Sequence, residues 1–384
     1  MKTKVIVDDV IIKALARGSM AVTKDMDSCK IEIGSGKCIL STADGKAAVS
    51  TAIGCETEGL DENISIYTSF VKLNVAVSEM FRVSDTVTFD IDDKKFVVSN
   101  RMASIELPLL QEDSFINVEV AEQASSVRFT IDGHVLKHAL LVASSCTSNK
   151  VESTSYVGIR IYKNATLDVG AISNYTVGLV QGIPVTFSKG YELGETEWKD
   201  LMIFNARAKA LAGVLPSGEP VTIQTRGNAG YFIFGDKNIQ SIIILPLSTV
   251  NGGEWKIRES LDNVLGNINE NYYLKGKRKE LDNALSMIFC GSKIADGDNE
   301  GKYGIVLSVE EKALHLDSVN GNTNVEVPCE ASGNWPDKVK YNATLVKDVV
   351  SLLEGSEITA YTTEKGEMLF FREGATTLLV LGIK

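Results

Sequence analysis

The sequence states one pattern three times. Residues 86–110 read TVTFDIDDKKFVVSNRMASIELPLL, residues 220–247 PVTIQTRGNAGYFIFGDKNIQSIIILPL, and residues 357–384 EITAYTTEKGEMLFFREGATTLLVLGIK. Each holds three runs rich in Val, Ile, Thr and Phe, separated by turns of Asp, Gly, Asn and Lys, the composition of short strands with tight connections. The blocks close on ASIELPLL (103–110), QSIIILPL (240–247) and ATTLLVLG (375–382). A repeat of this size constrains the fold more than any single motif, because a duplicated segment folds as duplicated structure.

The agreement extends upstream of each block, where a strand leads to a small polar residue and then to a helical period. ISIY precedes Thr68, Ser69 and FVKLNVAVSEMF; DLMIF precedes Asn205 and ARAKALAGVL; VKY precedes Asn342 and ATLVKDVVSLLEG. Thr, Ser and Asn can accept the unpaired amide protons of a first helical turn, and Gly355 stands where it would terminate the third helix. Further upstream come the helical periods DDVIIKALARGSMAV, DGHVLKHALLVASS and KRKELDNALSMIF. Each is followed by a hairpin: CKIEIGSGKCILSTA, YVGIRIYKNATLDVGA and YGIVLSVEEKALHLDS, with tips GSGK, YKNA and VEEK. The same order returns at intervals of roughly 120–150 residues, the size of one domain. The expected unit has two helices and about eight strands.

Composition narrows the function classes. A chain of 384 residues suits two or three domains, and the repeats select three. No run approaches the ~18 apolar residues of a membrane span, and MKTKVIVDDV reaches acidic residues too soon for a signal peptide, so a cytoplasmic protein is expected. Cys29, Cys38, Cys55, Cys146, Cys290 and Cys329 form no CxxC pair and read as buried or idle thiols. A net charge of -11 does not suit a protein that coats nucleic acid by bulk attraction; a DNA contact needs a local basic face.

Three segments carry a family likeness: SNRMASIELPLLQEDSF (99–115), VRFTIDGHVLKHALLVASSCTSNKVESTSYVGIRI (127–161) and TLVKDVVSLLEGSEITAYTT, near the end. In order and spacing, over essentially the whole chain, the sequence resembles the bacterial and bacteriophage sliding clamp, the beta subunit of the replicative DNA polymerase. The resemblance implies an α+β fold of three tandem clamp domains, 1–123, 124–258 and 259–384, each with two helices on curved antiparallel sheets. It implies a homodimeric ring that encircles duplex DNA, binds the replicative polymerase and the clamp loader through short peptide motifs, performs no bond chemistry and needs no cofactor. The chain departs from the family pattern at GAISNYTVG (170–178), where an ATDGHRL type segment is usual, and at the final VLGIK, which replaces MPMRL.

Site expectations follow from the resemblance. DNA-facing positions would be Lys13 and Arg17, four apart on one helix; Arg207 and Lys209, just inside a capped helix; Lys275 and Lys279, four apart near the start of domain three; and Lys72, Lys137 and Lys347 on other helices. The partner-peptide pocket would comprise Tyr156, Ile172, Asn174, Tyr175, Thr176, Val177, Trp255, Ile257, Leu378 and Val380. Ile105 and Leu107 would meet the second subunit. The rival reading is a repeated β-rich structural or virion protein with no DNA role, in which basic residues would be scattered. His134 and His138, four apart, lack a third metal ligand; DGDNEG (296–301) has Leu307 where a calcium loop needs a bidentate Glu; GSGK (34–37) lacks the spacing of a phosphate loop.

Overall fold

The computed structural model describes residues 3–382 except 35, 61, 93, 118–126, 149–153, 250–251, 253, 267, 297–303, 311, 320–322, 333–334 and 337–338; the side chains of 257 and 292–296 are also outside this set. The described residues form helices α1 (Val10–Gly18), α2 (Phe70–Phe81), α3 (Gly133–Ser145), α4 (Asn205–Val214), α5 (Ile257–Leu265), α6 (Arg278–Asp296) and α7 (Ala343–Ser351). All but α5 fall on the predicted helical periods. Ser69 caps α2 by accepting from the Lys72 amide at 3.2 Å, and Asn342 caps α7 by accepting from the amides of Thr344 and Leu345. Two expectations fail. Asn205 opens α4, but its buried Oδ1 has no hydrogen-bond partner among the described residues, so it does not cap. Gly355 lies beyond the end of α7, which stops at Ser351 with Leu352 as its last capping residue.

The nine strands expected at the three block endings all form, as do the three predicted hairpins. They assemble into antiparallel sheets. One nine-stranded sheet runs Thr186–Phe187, Val127–Asp132, Pro220–Arg226, Ala229–Gly235, Ile239–Pro246, Ala48–Gly54, Lys37–Ala43, Ser28–Gly34, Ile64–Ser69. The other runs Trp198–Phe204, Tyr156–Tyr162, Thr166–Ile172, Thr176–Pro184, Thr376–Leu381, Met368–Glu373, Glu357–Thr362, Asn269–Lys277, Glu330–Ser332. Each joins two repeats edge to edge: Ile244 pairs with Ala48 in the first, Val380 with Thr176 in the second. A five-stranded sheet ending on Ser104–Leu107 and a four-stranded sheet ending on Asn324–Pro328 complete the set.

These pairings divide the chain into two compact units, 1–137 with 185–195 and 210–247, and 138–184 with 196–209 and 248–384. The division passes through the second repeat because its strands are hydrogen-bonded into both nine-stranded sheets. In the first unit α2 buries Phe70, Leu73, Ala76, Val77 and Met80, spaced three and four apart, in the cluster that holds Val5, Phe89, Phe96 and Val98. Each large side chain so buried contributes about 1.5–3 kcal/mol. Burial pushes the Cys146 thiol up to about 12 and raises those of Cys29 and Cys38 as well, which leaves all three as protonated core residues.

Candidate functional site

The second nine-stranded sheet sorts its side chains onto two faces. On one face Gly158 and Arg160 stand opposite Gly170 and Asp168 in the neighbouring strand, and Tyr156, Gly158 and Arg160 stand opposite Phe204, Met202 and Asp200 in the other. Val177 and Leu379 continue this face and cluster with Met202, Trp255, Leu261 and Phe370. The glycines make room for the indole: a Cβ at Gly158 would overlap the Trp255 ring, and one at Gly170 would lie 3.3 Å from it. Trp255 is 2% exposed and its amide donates to Asp200 Oδ2 at 2.9 Å. Asp200 in turn accepts two hydrogen bonds from Arg160, at 2.7 and 2.9 Å.

Helix α5 extends this cover. Arg258 is buried and donates Nη2 and Nε to Asp168 Oδ2 at 2.8 and 3.3 Å, while its Nη1 binds Asp262. Tyr162 Oη also donates to Asp168 Oδ2, and the Gly182 amide to Oδ1. Burial opposes the Arg258 charge, but Asp262 and Asp168 outweigh it and its pKa is raised. The ion pair thus fastens α5 to the sheet, with Leu261 beneath it.

The structure brings Tyr156, Ile172, Val177 and Trp255 into one cluster. Tyr175, 63% exposed, and Asn174 form the turn at the edge of this face, and Phe204 packs edge-on against Tyr156 with ring centroids 5.8 Å apart. Ile257 begins α5, and its side chain lies outside the described set. Thr176, Leu378 and Val380 are misplaced by the sequence reading. They are buried on the opposite face, toward α3: Thr376, two residues before Leu378, meets His138 Nε2 at 3.2 Å, and a Cβ at Gly178, paired with Leu378, would strike Val142 and Cys146. A one-residue slip in a strand exchanges faces, so the residues that belong to this site are Leu379 and Leu381.

The basic residues also separate. Lys13, Lys72, Lys209 and Lys279 are exposed on α1, α2, α4 and α6; Lys137, Arg207 and Lys347 are half-buried on α3, α4 and α7, with Lys347 5.7 Å from the Phe289 ring. Arg17 is a core residue instead: 7% exposed, it donates to Ser241 Oγ at 3.0 Å and lies over Phe234. Burial lowers its pKa. Lys275 is not helical; it stands in the strand Asn269–Lys277 and pairs with Glu357 at 3.1 Å. Helices α1, α3 and α4 carry Lys13, Arg17, Lys137, Arg207 and Lys209 and no Asp or Glu.

Solved structures agree with this architecture from end to end. A putative DNA polymerase III beta subunit from Eubacterium rectale matches with a TM-score of 0.75 at 16% identity over 100% of both chains. The chain has the sliding-clamp fold. The DNA polymerase III beta subunit of Thermotoga maritima matches at 0.76 and 14% identity over 100% of this chain and 99% of that one, and a Pseudomonas aeruginosa sliding clamp bound to griselimycin at 0.79 and 13% over 100% of both. No family model matches the chain, and no curated protein does. Within this clamp fold, GAISNYTVG contributes Gly170, Ile172 and Val177 to the face under Trp255.

The clamp fold also exposes an edge. Ser104–Leu107 pairs only with Phe96–Ser99 among the described residues, leaving its outer side unpaired. Leu107, opposite Phe96, belongs to the core, a correction to its expected interface role, while Ile105 at the open end of the strand is exposed. His138 is engaged by Thr376 and, through Nδ1, by Glu354 at 3.2 Å, and DGDNEG lies outside the described residues except Asp296, the last residue of α6.

Proposed function

We propose that the chain is a cytoplasmic DNA sliding clamp. Two copies close a ring around duplex DNA, and the three repeats, 1–123, 124–258 and 259–384, act as its three domains per subunit. The observation that carries this reading is a clamp fold covering 100% of the chain in which α1, α3 and α4 bear only basic charges while the chain as a whole carries -11. A repeated structural protein has no need to sort charge in this way. Weak, sequence-blind attraction between helix cations and phosphates lets the duplex slide, and enclosure prevents escape, so a bound polymerase stays at high effective concentration without a tight DNA contact.

The residues in this role are Lys13, Lys72, Lys137, Arg207, Lys209, Lys279 and Lys347. Partner peptides from the polymerase and the clamp loader would dock against the Tyr156, Phe204 and Tyr175 rim beside α5, where aromatic side chains surround an apolar floor. The exposed edge Ser104–Leu107 would pair with an edge of the four-stranded sheet in the second copy, which removes two open strand edges at once. Light scattering at micromolar concentration is expected to give twice the chain mass. A single species at the mass of one chain would overturn the ring.

A further inference from the structure

The two nine-stranded sheets make one kind of joint twice. In the first, strand Ile239–Pro246 of the second repeat lies against Ala48–Gly54 of the first; in the second, Thr376–Leu381 of the third repeat lies against Thr176–Pro184 of the second. Both joints are antiparallel, and one strand of each kind is left over. Ser104–Leu107 closes a three-strand block, as Ile239–Pro246 and Thr376–Leu381 do; Asn324–Pro328 follows a hairpin, as Ala48–Gly54 and Thr176–Pro184 do. Among the described residues each has no strand on its outer side.

The strand ladders carry the register from one joint to the next, counted each time from the residue three positions before a helix. From Tyr67, before α2, the ladder runs through Lys30, Ser41 and Ser50 to Ile242. From Met202, before α4, it runs through Gly158, Gly170 and Leu179 to Thr377. From Lys340, before α7, it runs through Val306 and Asp317 and stops at Asn324, which therefore holds the place of Ser50 and Leu179. The opposite edge is fixed by two matching hydrogen bonds. The Ser248 amide, six residues after Ile242, donates to the Met202 carbonyl at 2.8 Å, and the Leu110 amide donates to the Tyr67 carbonyl at 2.8 Å. Six residues before Leu110 stands Ser104, in the place of Ile242. The helices agree with this count. Helix α1 buries Ile11, Ala14 and Leu15 and lays Arg17 on Ser241, the residue before Ile242. Helix α6 buries Leu281, Ala284 and Leu285 at the same spacing, which puts Met287 in the place of Arg17. Met287 is 59% exposed, and Ala103, the residue before Ser104, is exposed as well. A long apolar side chain and a small one match each other where the cation and the hydroxyl do in the first joint.

We propose that Ser104–Leu107 joins the strand Asn324–Pro328 of a second copy of this chain in the antiparallel register that sets Ser104 opposite Asn324 of the partner subunit and lays the partner subunit's Met287 over Ala103. The joint rests on the ring reading above and adds to it the register and the Met287 contact. Each copy offers one edge of each kind, so two copies make two identical joints and leave neither edge open. Paired cysteines test the register in the full chain carrying Cys290→Ser, since Cys290 is exposed. Residues directly opposite in an antiparallel pair have Cα atoms about 4.5–5.5 Å apart, within reach of a disulfide, whereas positions two residues off lie about 7–8 Å apart and beyond it. Ser104→Cys with Asn324→Cys, both at exposed positions, is expected to give a covalent dimer as the main species on mild oxidation. Ser104→Cys with Glu326→Cys, and each single change, is expected to give little. Met287→Glu is expected to weaken dimerisation about tenfold or more by light scattering, with an unchanged melting temperature. A dimer that links through position 326 or not at all, or that is indifferent to Met287→Glu, overturns this joint and leaves the ring reading standing; a single species at the mass of one chain overturns both.

Discussion

Arg258→Ala is expected to lower the stability of the second unit by about 3–5 kcal/mol, because it leaves the Asp168 carboxylate buried without its cation. Asp168 would keep only the Tyr162 hydroxyl and the Gly182 amide. The partner on the other side, Asp262, is largely exposed, and its loss of Arg258 adds little. Replacing both charges, Arg258→Met with Asp168→Asn, is expected to recover most of the loss, since removing a buried pair together avoids the uncompensated charge. Equilibrium urea unfolding followed by tryptophan fluorescence isolates the effect: Trp198, Trp255 and Trp335 all lie in the second unit. The shift should appear in the midpoint with the slope unchanged. A single variant within about 1 kcal/mol of the parent would show that α5 is not held by this pair.

Trp255→Ala is expected to cost about as much, 3–5 kcal/mol, through lost burial and the gap left over Gly158 and Gly170. The reciprocal change makes the argument specific. Gly158→Ala forces a methyl group into the indole and is expected to destabilise the parent by more than about 2 kcal/mol, yet to be nearly neutral once Trp255 is alanine. Trp198 and Trp335 still report unfolding in both backgrounds. Additive losses in the double variant would mean that the glycines are not there to seat the tryptophan.

The strands and most helices were legible in the sequence because their periods are local. FVKLNVAVSEMF forms α2 over the full run, and the hairpin tips fall where Gly, Asn and Lys interrupt alternation. What was not legible depends on tertiary context. Leu378 and Val380 sit in a run, LLVL, that is apolar at every position because both faces are covered, so periodicity could not choose between Leu378 and Leu379. Arg17 shares the helix of Lys13, but its guanidinium ends between Ser241 and Phe234, contacts made by residues more than 200 positions away. Lys275 and Lys279 look like a helical pair only if the strand Asn269–Lys277 is missed. Helix α5 did carry a signal: Leu261, Val264 and Leu265 at three- and four-residue spacing, interrupted by the charges of RESLDNVLG. Arg258 was hidden because its partner Asp168 is 90 residues away.

Capture on nicked circular DNA tests the central claim most directly. The chain, allowed to load and then separated from free protein by gel filtration, is expected to stay with the circle, tolerate moderate salt because its hold is enclosure, and be released when a single cut linearises the DNA. Retention that is unchanged by linearisation, or that falls with salt alike on circle and linear fragment, would contradict a ring and leave only surface binding.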